Sequence, residues 1–222
     1  MEQTLLVLKP DATMRRGVSA AVFEQILTAL PDITIRGFIE MVVPRHLAEQ
    51  HYAIHQGKFF YPWLLQFIQV GHVIATVLEG ENIVTCLRDI LGATFVEKAS
   101  PDSLRGKYGL VGGVNVAHAS DEPRNAKKEV ALWQCETNLD LTQDGINPIK
   151  AYIERWRETP VLATYDIRQI CQEYALEYQN RELHQTQITD FLVDECPEWP
   201  HQDLQKLADA ILGNMDLDRD TA

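Results

Sequence analysis

Strand-like and helix-like runs alternate through residues 4–133, and then the strands stop. Residues 4–8 (TLLVL) read as a short buried strand that ends at Lys9-Pro10-Asp11, because Pro10 cannot donate to a ladder. An amphipathic helix is expected over 20–30, N-capped by Ser19 and stopped by Pro31, followed by a β-rich run over 33–43 closed by Pro44. Helices follow over 46–55 and 63–68, then a strand over 73–78, a turn at Gly80 and a helix over 82–91. Residues 92–114 are rich in Gly, Pro and Ser, and loops of that size are often functional. A short strand over 114–117 precedes a helix that starts at Asp121, Glu122 and Pro123 and runs to Trp133. This order fits an α+β sandwich with helices covering one face of a mainly antiparallel sheet.

Beyond Gln134 the pattern turns helical, with breaks at Pro160, Pro197 and Pro200 and helices expected over 167–178, 187–195 and 203–212. The boundary is placed near 135–147, which divides the chain into residues 1–134 and an extension, 135–222. Charge divides at the same place. The first part carries 13 Lys/Arg against 14 Asp/Glu, whereas the extension carries 7 against 18 and so holds nearly all of the net −12. Such an extension repels nucleic acid and anionic membrane, so its expected partner is a protein surface or the chain itself. No run approaches the ~20 apolar residues of a membrane span, and the N-terminus lacks a signal peptide's layout, so a cytosolic protein is expected. The four cysteines form no CxxC pair, which argues for reduced thiols.

The segment Asn115-Val116-Ala117-His118-Ala119-Ser120-Asp121 puts an imidazole in a polar turn between a strand and an acid-capped helix. Histidine is a capable nucleophile when one ring nitrogen is free and an acceptor holds the other; Glu129, two turns into the following helix, is the candidate acceptor. A structural histidine capping the turn is the plainer alternative. The chain lacks a GxxxxGK[ST] loop, so phosphates would be gripped by side chains such as Lys9, Arg88 and Arg105.

Seven blocks in order, TLLVLKPDA at 4–12, HYAIH at 51–55, FYP at 60–62, EGEN at 79–82, LGAT at 91–94, LRG at 104–106 and NVAHASD at 115–121, resemble the nucleoside diphosphate kinase family. The resemblance covers about residues 3–134. It implies a ferredoxin-like sandwich with a four-stranded antiparallel sheet, and transfer of a γ-phosphate from a nucleoside triphosphate to a nucleoside diphosphate through phosphorylated Nδ1 of His118, which would maintain nucleotide pools. Glu129 and Ser120 would orient the imidazole. Lys9, Tyr52, Arg88, Thr94, Arg105 and Asn115 would contact phosphates or ribose, and Phe60, with Leu64 beside it, would stack on the base. Mg²⁺ would be carried by the nucleotide without protein ligands, and a homo-oligomer is implied. Stacking without base-edge hydrogen bonds predicts broad base tolerance.

The chain departs from the family where Val-Gly-Arg-Asn is usual before the histidine and Gly112-Gly113-Val114-Asn115 stands instead, so the base loses an apolar wall at Gly112. Small insertions fall near 13–16 and 30–35, and Ala119 stands where Gly is commoner. Zinc is the weaker reading at His51 and His55, four apart on one helix but without the Glu of an HExxH motif, and at Cys171, His184, Cys196 and His201, a set with no recognised spacing; packing or surface positions are expected for both. The tail aromatics Tyr152, Trp156, Tyr165, Tyr174 and Tyr178 are expected in a small core or against the first domain. A non-catalytic nucleotide-binding scaffold is the rival function, against which stands the presence together of Lys9, Arg88, Arg105, Asn115, His118 and Glu129.

Overall fold

A computed structural model describes residues 1–219. Its sheet is built around β1 (Glu2–Leu8), which pairs antiparallel with β3 (His72–Gly80) from Glu2↔Gly80 to Leu8↔Ile74. On its other side β1 pairs antiparallel with β4 (Ala117–Ala119), where Val7 faces His118. With β2 (Thr34–Val42) outside β3, the order is β2-β3-β1-β4, the ferredoxin-like arrangement expected.

The side-chain period of two sends neighbours on β1 to opposite faces. Leu6 and Leu8 enter a core with α2 (Arg16–Ala29) and α5 (Ile83–Leu91). Leu5 and Val7 enter another with α3 (Arg45–His51), α4 (Tyr61–Phe67) and α7 (Pro123–Glu136), in which Trp133 is fully buried. Helices therefore cover both faces of the sheet, where one face was expected. The unbroken apolar character of 4–8 already fits a strand buried on both sides. Ser19 is not a cap: α2 begins at Arg16, and the buried Ser19 hydroxyl donates to the carbonyl of Ala12 at 2.7 Å, at the end of α1 (Pro10–Thr13). The helix expected over 46–55 ends at His51 and gives way to a 3₁₀ turn at Ala53–His55.

The strand expected over 114–117 lies over Ala117–Ala119 instead. Val116 has φ +77° and Ala117 N–H bonds the carbonyl of Asn115 at 2.9 Å, a tight γ-turn that no ladder can include. The chain straightens only after it, so His118 stands on a strand rather than in a turn.

The extension packs on the body. Its first helix, α8 (Ile146–Trp156), lies against α2 and β2 and places Ile149, Tyr152 and Ile153 in the first core. Before it, Gln143 O accepts from Gly37 N–H and Gly145 N–H donates to Ile35 O, both at 3.0 Å, so this segment covers the outer edge of β2. The helices α9 (Thr164–Glu177), α10 (Arg181–Glu195) and α11 (His201–Arg219) gather a further core in which Ile167, Ile188, Leu192 and Leu207 meet Met14, Phe67 and Val114 of the body. Tyr152 and Trp156 pack into the body and Tyr174 and Tyr178 into the extension core, while Tyr165 is exposed. Among the described residues no helix is long and apolar enough to cross a membrane.

Candidate active site

His118 projects from β4, and its Nε2 lies 2.8 Å from Oε2 of Glu129 on α7. The same oxygen accepts from the Ser120 hydroxyl at 2.7 Å, and Ser120, fully buried, also receives the N–H of Leu5 at 3.3 Å. Burial works to raise the Glu129 carboxyl, but the hydrogen bonds from His118 and Ser120 and the neighbouring imidazoles outweigh it and hold it down at about 2. An ionised carboxylate can only accept, so Nε2 of His118 carries the hydrogen and the ring's lone pair sits on Nδ1. Among the described residues Nδ1 has no hydrogen-bond partner, and the side chain keeps 22% of its surface open.

The strain beneath the histidine is pinned by Lys9 and Asp11, just beyond the end of β1. A β-branched residue in the left-handed region costs on the order of 1–3 kcal/mol and persists only where its surroundings enforce it. Here Asp11 Oδ2 accepts the Val116 N–H at 2.8 Å, while the Val116 carbonyl accepts the N–H of Lys9 at 2.8 Å. Asp11 is buried, and burial raises its carboxyl against the pull of Lys9. It belongs to the site as a holder of the turn. The sequence showed it only inside the TLLVLKPDA block, because its partner lies 105 residues away.

Lys9 caps the end of β1 with its ammonium buried, 2.8 Å from the carbonyl of Gly113 and 5.2 Å above the Phe67 ring. Burial, with help from Arg105 and against Asp11, pushes it down to about 8. Arg105, on α6 (Leu104–Tyr108), donates to the carbonyls of Gly92 at 2.9 Å, Asn115 at 3.3 Å and Ala117 at 2.8 Å. It is thus first a clasp on the loop leading to His118. Burial and the charge of Arg88 bring it down to about 10. Arg88 on α5 is half-buried, and among the described residues its side chain has no hydrogen bond or ion pair. Asn115 donates to the carbonyl of Thr94 at 2.5 Å, and among the described residues its buried Oδ1 has no partner, which suits it to accept from a hydroxyl.

Tyr52 closes the side opposite the cations, its ring centroid 6.5 Å from that of His118 at 89°. Burial above all, and then the Glu129 charge, pushes its phenol upward, which keeps it neutral. Phe60, at the start of α4, follows through His55, whose ring lies 5.4 Å from it. Leu64 stands one turn on, half-buried.

His51, part of the HYAIH block and expected as a packing or surface residue rather than a zinc ligand, is a wall of the site. Its ring lies 4.4 Å from His118 at 80°, and Trp133 donates to its Nδ1 at 3.3 Å. Burial, and after it the proximity of His118, lowers it to about 3, so it is neutral with its hydrogen on Nε2. His51, His118 and Glu129 bring potential ligand atoms within 4.8 Å of one another. They make a poor metal cradle all the same, since His51 offers no free lone pair and the nearest Glu129 oxygen already accepts two bonds. Cys171 and Cys196 lie buried in the extension core and join no cluster of metal-ligating groups among the described residues.

Residues 2–139 match the family model described as nucleoside diphosphate kinase. The chain is 38% identical over 148 residues to nucleoside diphosphate kinase of Trichormus variabilis, a match covering 67% of this chain and 97% of that one. It is 42% identical over 135 residues to the enzyme of the same name from Staphylococcus epidermidis, covering 60% of this chain and 87% of the other. Among solved structures, the nucleoside diphosphate kinase of Aquifex aeolicus superposes with a TM-score of 0.55 at 31% identity, over 59% of this chain and 93% of that one. That of Encephalitozoon cuniculi superposes with 0.57 at 31%, over 60% and 88%.

Proposed function

Because the chain belongs to the nucleoside diphosphate kinase family and is therefore a phosphotransferase acting on nucleoside phosphates, we propose that it works by a covalent relay through Nδ1 of His118. In the first half-reaction the Nδ1 lone pair attacks the γ-phosphorus of a bound triphosphate. The N–P bond forms as the bond to the β–γ bridging oxygen breaks, and its electrons leave on the diphosphate. The Nε2 hydrogen stays on the ring, held by Glu129, which steadies the positive charge gathering on the imidazole. In the second half-reaction a different diphosphate attacks the phosphohistidine and recovers a triphosphate.

The observation that carries this reading is the pair of hydrogen bonds onto one oxygen of Glu129: it fixes the tautomer, locks the ring, and leaves the nucleophilic nitrogen open. Lys9, Arg88 and Arg105 supply fixed positive charge for the phosphoryl oxygens, worth most where water is partly excluded. The orphan oxygen of Asn115 suits a ribose hydroxyl, the Thr94 carbonyl steadies that side chain, and the Tyr52 hydroxyl reaches the phosphates from the other side. Phe60 stacks on the base, Leu64 packs beside it, and any base is accepted.

Mg²⁺ enters with the nucleotide as part of the substrate and neutralises phosphate charge. The donor chemistry of the site agrees, since the His51–His118–Glu129 group is committed to other bonds and the remaining charged groups around the nucleophile are mainly cations. Assembly into a homo-oligomer belongs to the same reading. The test is stereochemical: a γ-phosphorus made chiral with oxygen isotopes should keep its configuration on transfer, because the two in-line displacements of a covalent relay cancel, whereas direct transfer between two bound nucleotides inverts it.

A further inference from the structure

We propose that Asn214, on the last helix of the extension, is a positioning residue of the phosphate site that acts on Lys9 through the Gly112–Gly113 turn. The proposal rests on the reading of Lys9 as a phosphate ligand. The turn is the tip of a small hairpin in which Val111 pairs with Val114, and each of its polar groups is claimed from a different part of the chain. Gly113 O accepts the Lys9 ammonium at 2.8 Å; Gly113 N–H donates to Asn214 Oδ1 at 3.2 Å; Gly112 N–H donates to Glu97 at 2.8 Å. One residue, Gly113, therefore separates the side chain from α11 and the side chain that meets the phosphate.

Shape says that the contact is built in. A Cβ on Gly112 would lie 2.1 Å from Asn214 Oδ1, so a side chain at position 112 would displace the carboxamide from the turn, and the φ of +48° there favours glycine as well. The departure at Gly112 noted in the sequence thus has a partner: the space beside the turn is filled from α11 by a carboxamide. The helix is tethered at the same spot. The Trp63 indole donates to the carbonyl of Ala210 at 2.8 Å, and a Cβ on Gly213 would stand 3.2 Å from Trp63 Cδ1. Trp63 in turn stacks at 5.1 Å and 13° on Phe67, the ring beneath Lys9. Asn214 and Lys9 thus act on the same turn from opposite sides, and α11 completes the wall on which the lysine rests.

The groups facing the Lys9 ammonium are Asp11 and Arg105 by charge and Gly113 O by hydrogen bond. Losing the fixed carbonyl takes stabilisation from the charged form alone, so the lysine should deprotonate at lower pH. The experiment is Mg·ADP binding against pH on the full chain, for the natural protein and Asn214→Ala, with melting temperature and circular dichroism as fold controls. The expected result is affinity weaker by roughly tenfold near neutral pH, the scale of a misplaced hydrogen bond to a charged group. The alkaline fall in binding should also move to lower pH, and Asn214→Ser, which keeps an oxygen at shorter reach, should lie between. Gly112→Ala, made both in the natural chain and in the Asn214→Ala variant, should cost less in the variant, where the carboxamide no longer occupies the space; the backbone strain is common to both and cancels in the cycle. An unmoved alkaline limb in Asn214→Ala, or equal costs of Gly112→Ala in the two backgrounds, overturns the proposal. Binding serves as the readout because absence of phosphohistidine in the natural protein would count against the relay at His118 and leave the role of Asn214 to be decided by Mg·ADP.

Discussion

Arg15 and Glu195 meet 2.9 Å apart with their side chains almost fully buried, joining the start of α2 to the end of α10. The remaining polar atoms are taken up locally. Arg15 also donates to the carbonyl of Tyr108 and the hydroxyl of Thr164, and Glu195 Oε2 accepts the N–H of Ala163 at 2.7 Å. An acidic extension that looks detachable in composition is thus held to the body through a buried ion pair.

Removing one partner of a buried pair leaves the other charged and unpaired, at a cost of about 3–5 kcal/mol. Glu195→Ala should destabilise the chain on that scale in urea titrations. Arg15→Met with Glu195→Leu should recover much of the loss, because two apolar groups leave no orphan charge.

The covered edge of β2 gives a second outcome. A Cβ at Gly145 would come within 2.5 Å of Gly37 O, so Gly145→Val must push the covering segment away and expose the groups at Ile35 and Gly37. Light scattering should show concentration-dependent association in this variant beyond that of the natural chain, since an open edge is a template for strand addition.

The lysine at about 8 sets a pH dependence. Its folded value lies below the ordinary 10.5, so the free site loses a phosphate-binding charge as pH rises through about 8. The pH profile of kcat/KM, which reports the free enzyme, should fall on the alkaline side there. Lys9→Arg should lower the rate and remove that fall, because a guanidinium stays charged.

Phe60→Ala should weaken every nucleotide by a similar factor. Base–aromatic stacking is worth roughly 1–3 kcal/mol per base and is indifferent to base identity. Parallel KM measurements with adenine, guanine and pyrimidine diphosphates check this, and a loss confined to one base would show that the edge is read.

Much of the site was legible because its chemistry is local in sequence: the block 115–121 carries His118, Ser120 and Asn115 together, and Glu129 falls two turns into the next helix. What escaped was set by distant partners. Asp11 is matched to the N–H of Val116, His51 to Trp133, and Gly112 to Asn214, each pair about 80 residues apart or more. The shift of β4 has the same origin, since the turn at Val116 is held by Lys9 and Asp11 rather than by the turn's own residues. Ser19 looked like a cap because its hydroxyl can serve either as cap or as a bond to a preceding carbonyl, and only packing chose between them. In the extension, periodicity located the last three helices roughly but said nothing of what they touch, and α8 was not separately resolved.

The central claim is that Nδ1 of His118 carries the phosphate, and intact mass after brief mixing with Mg·ATP tests it most directly. The natural protein should gain the mass of one phosphoryl group, lose it on chase with a different diphosphate, and release that nucleotide as a triphosphate, while His118→Ala gains nothing. A labelled His118→Ala protein, or a natural protein that turns over nucleotide while never gaining mass, would contradict it.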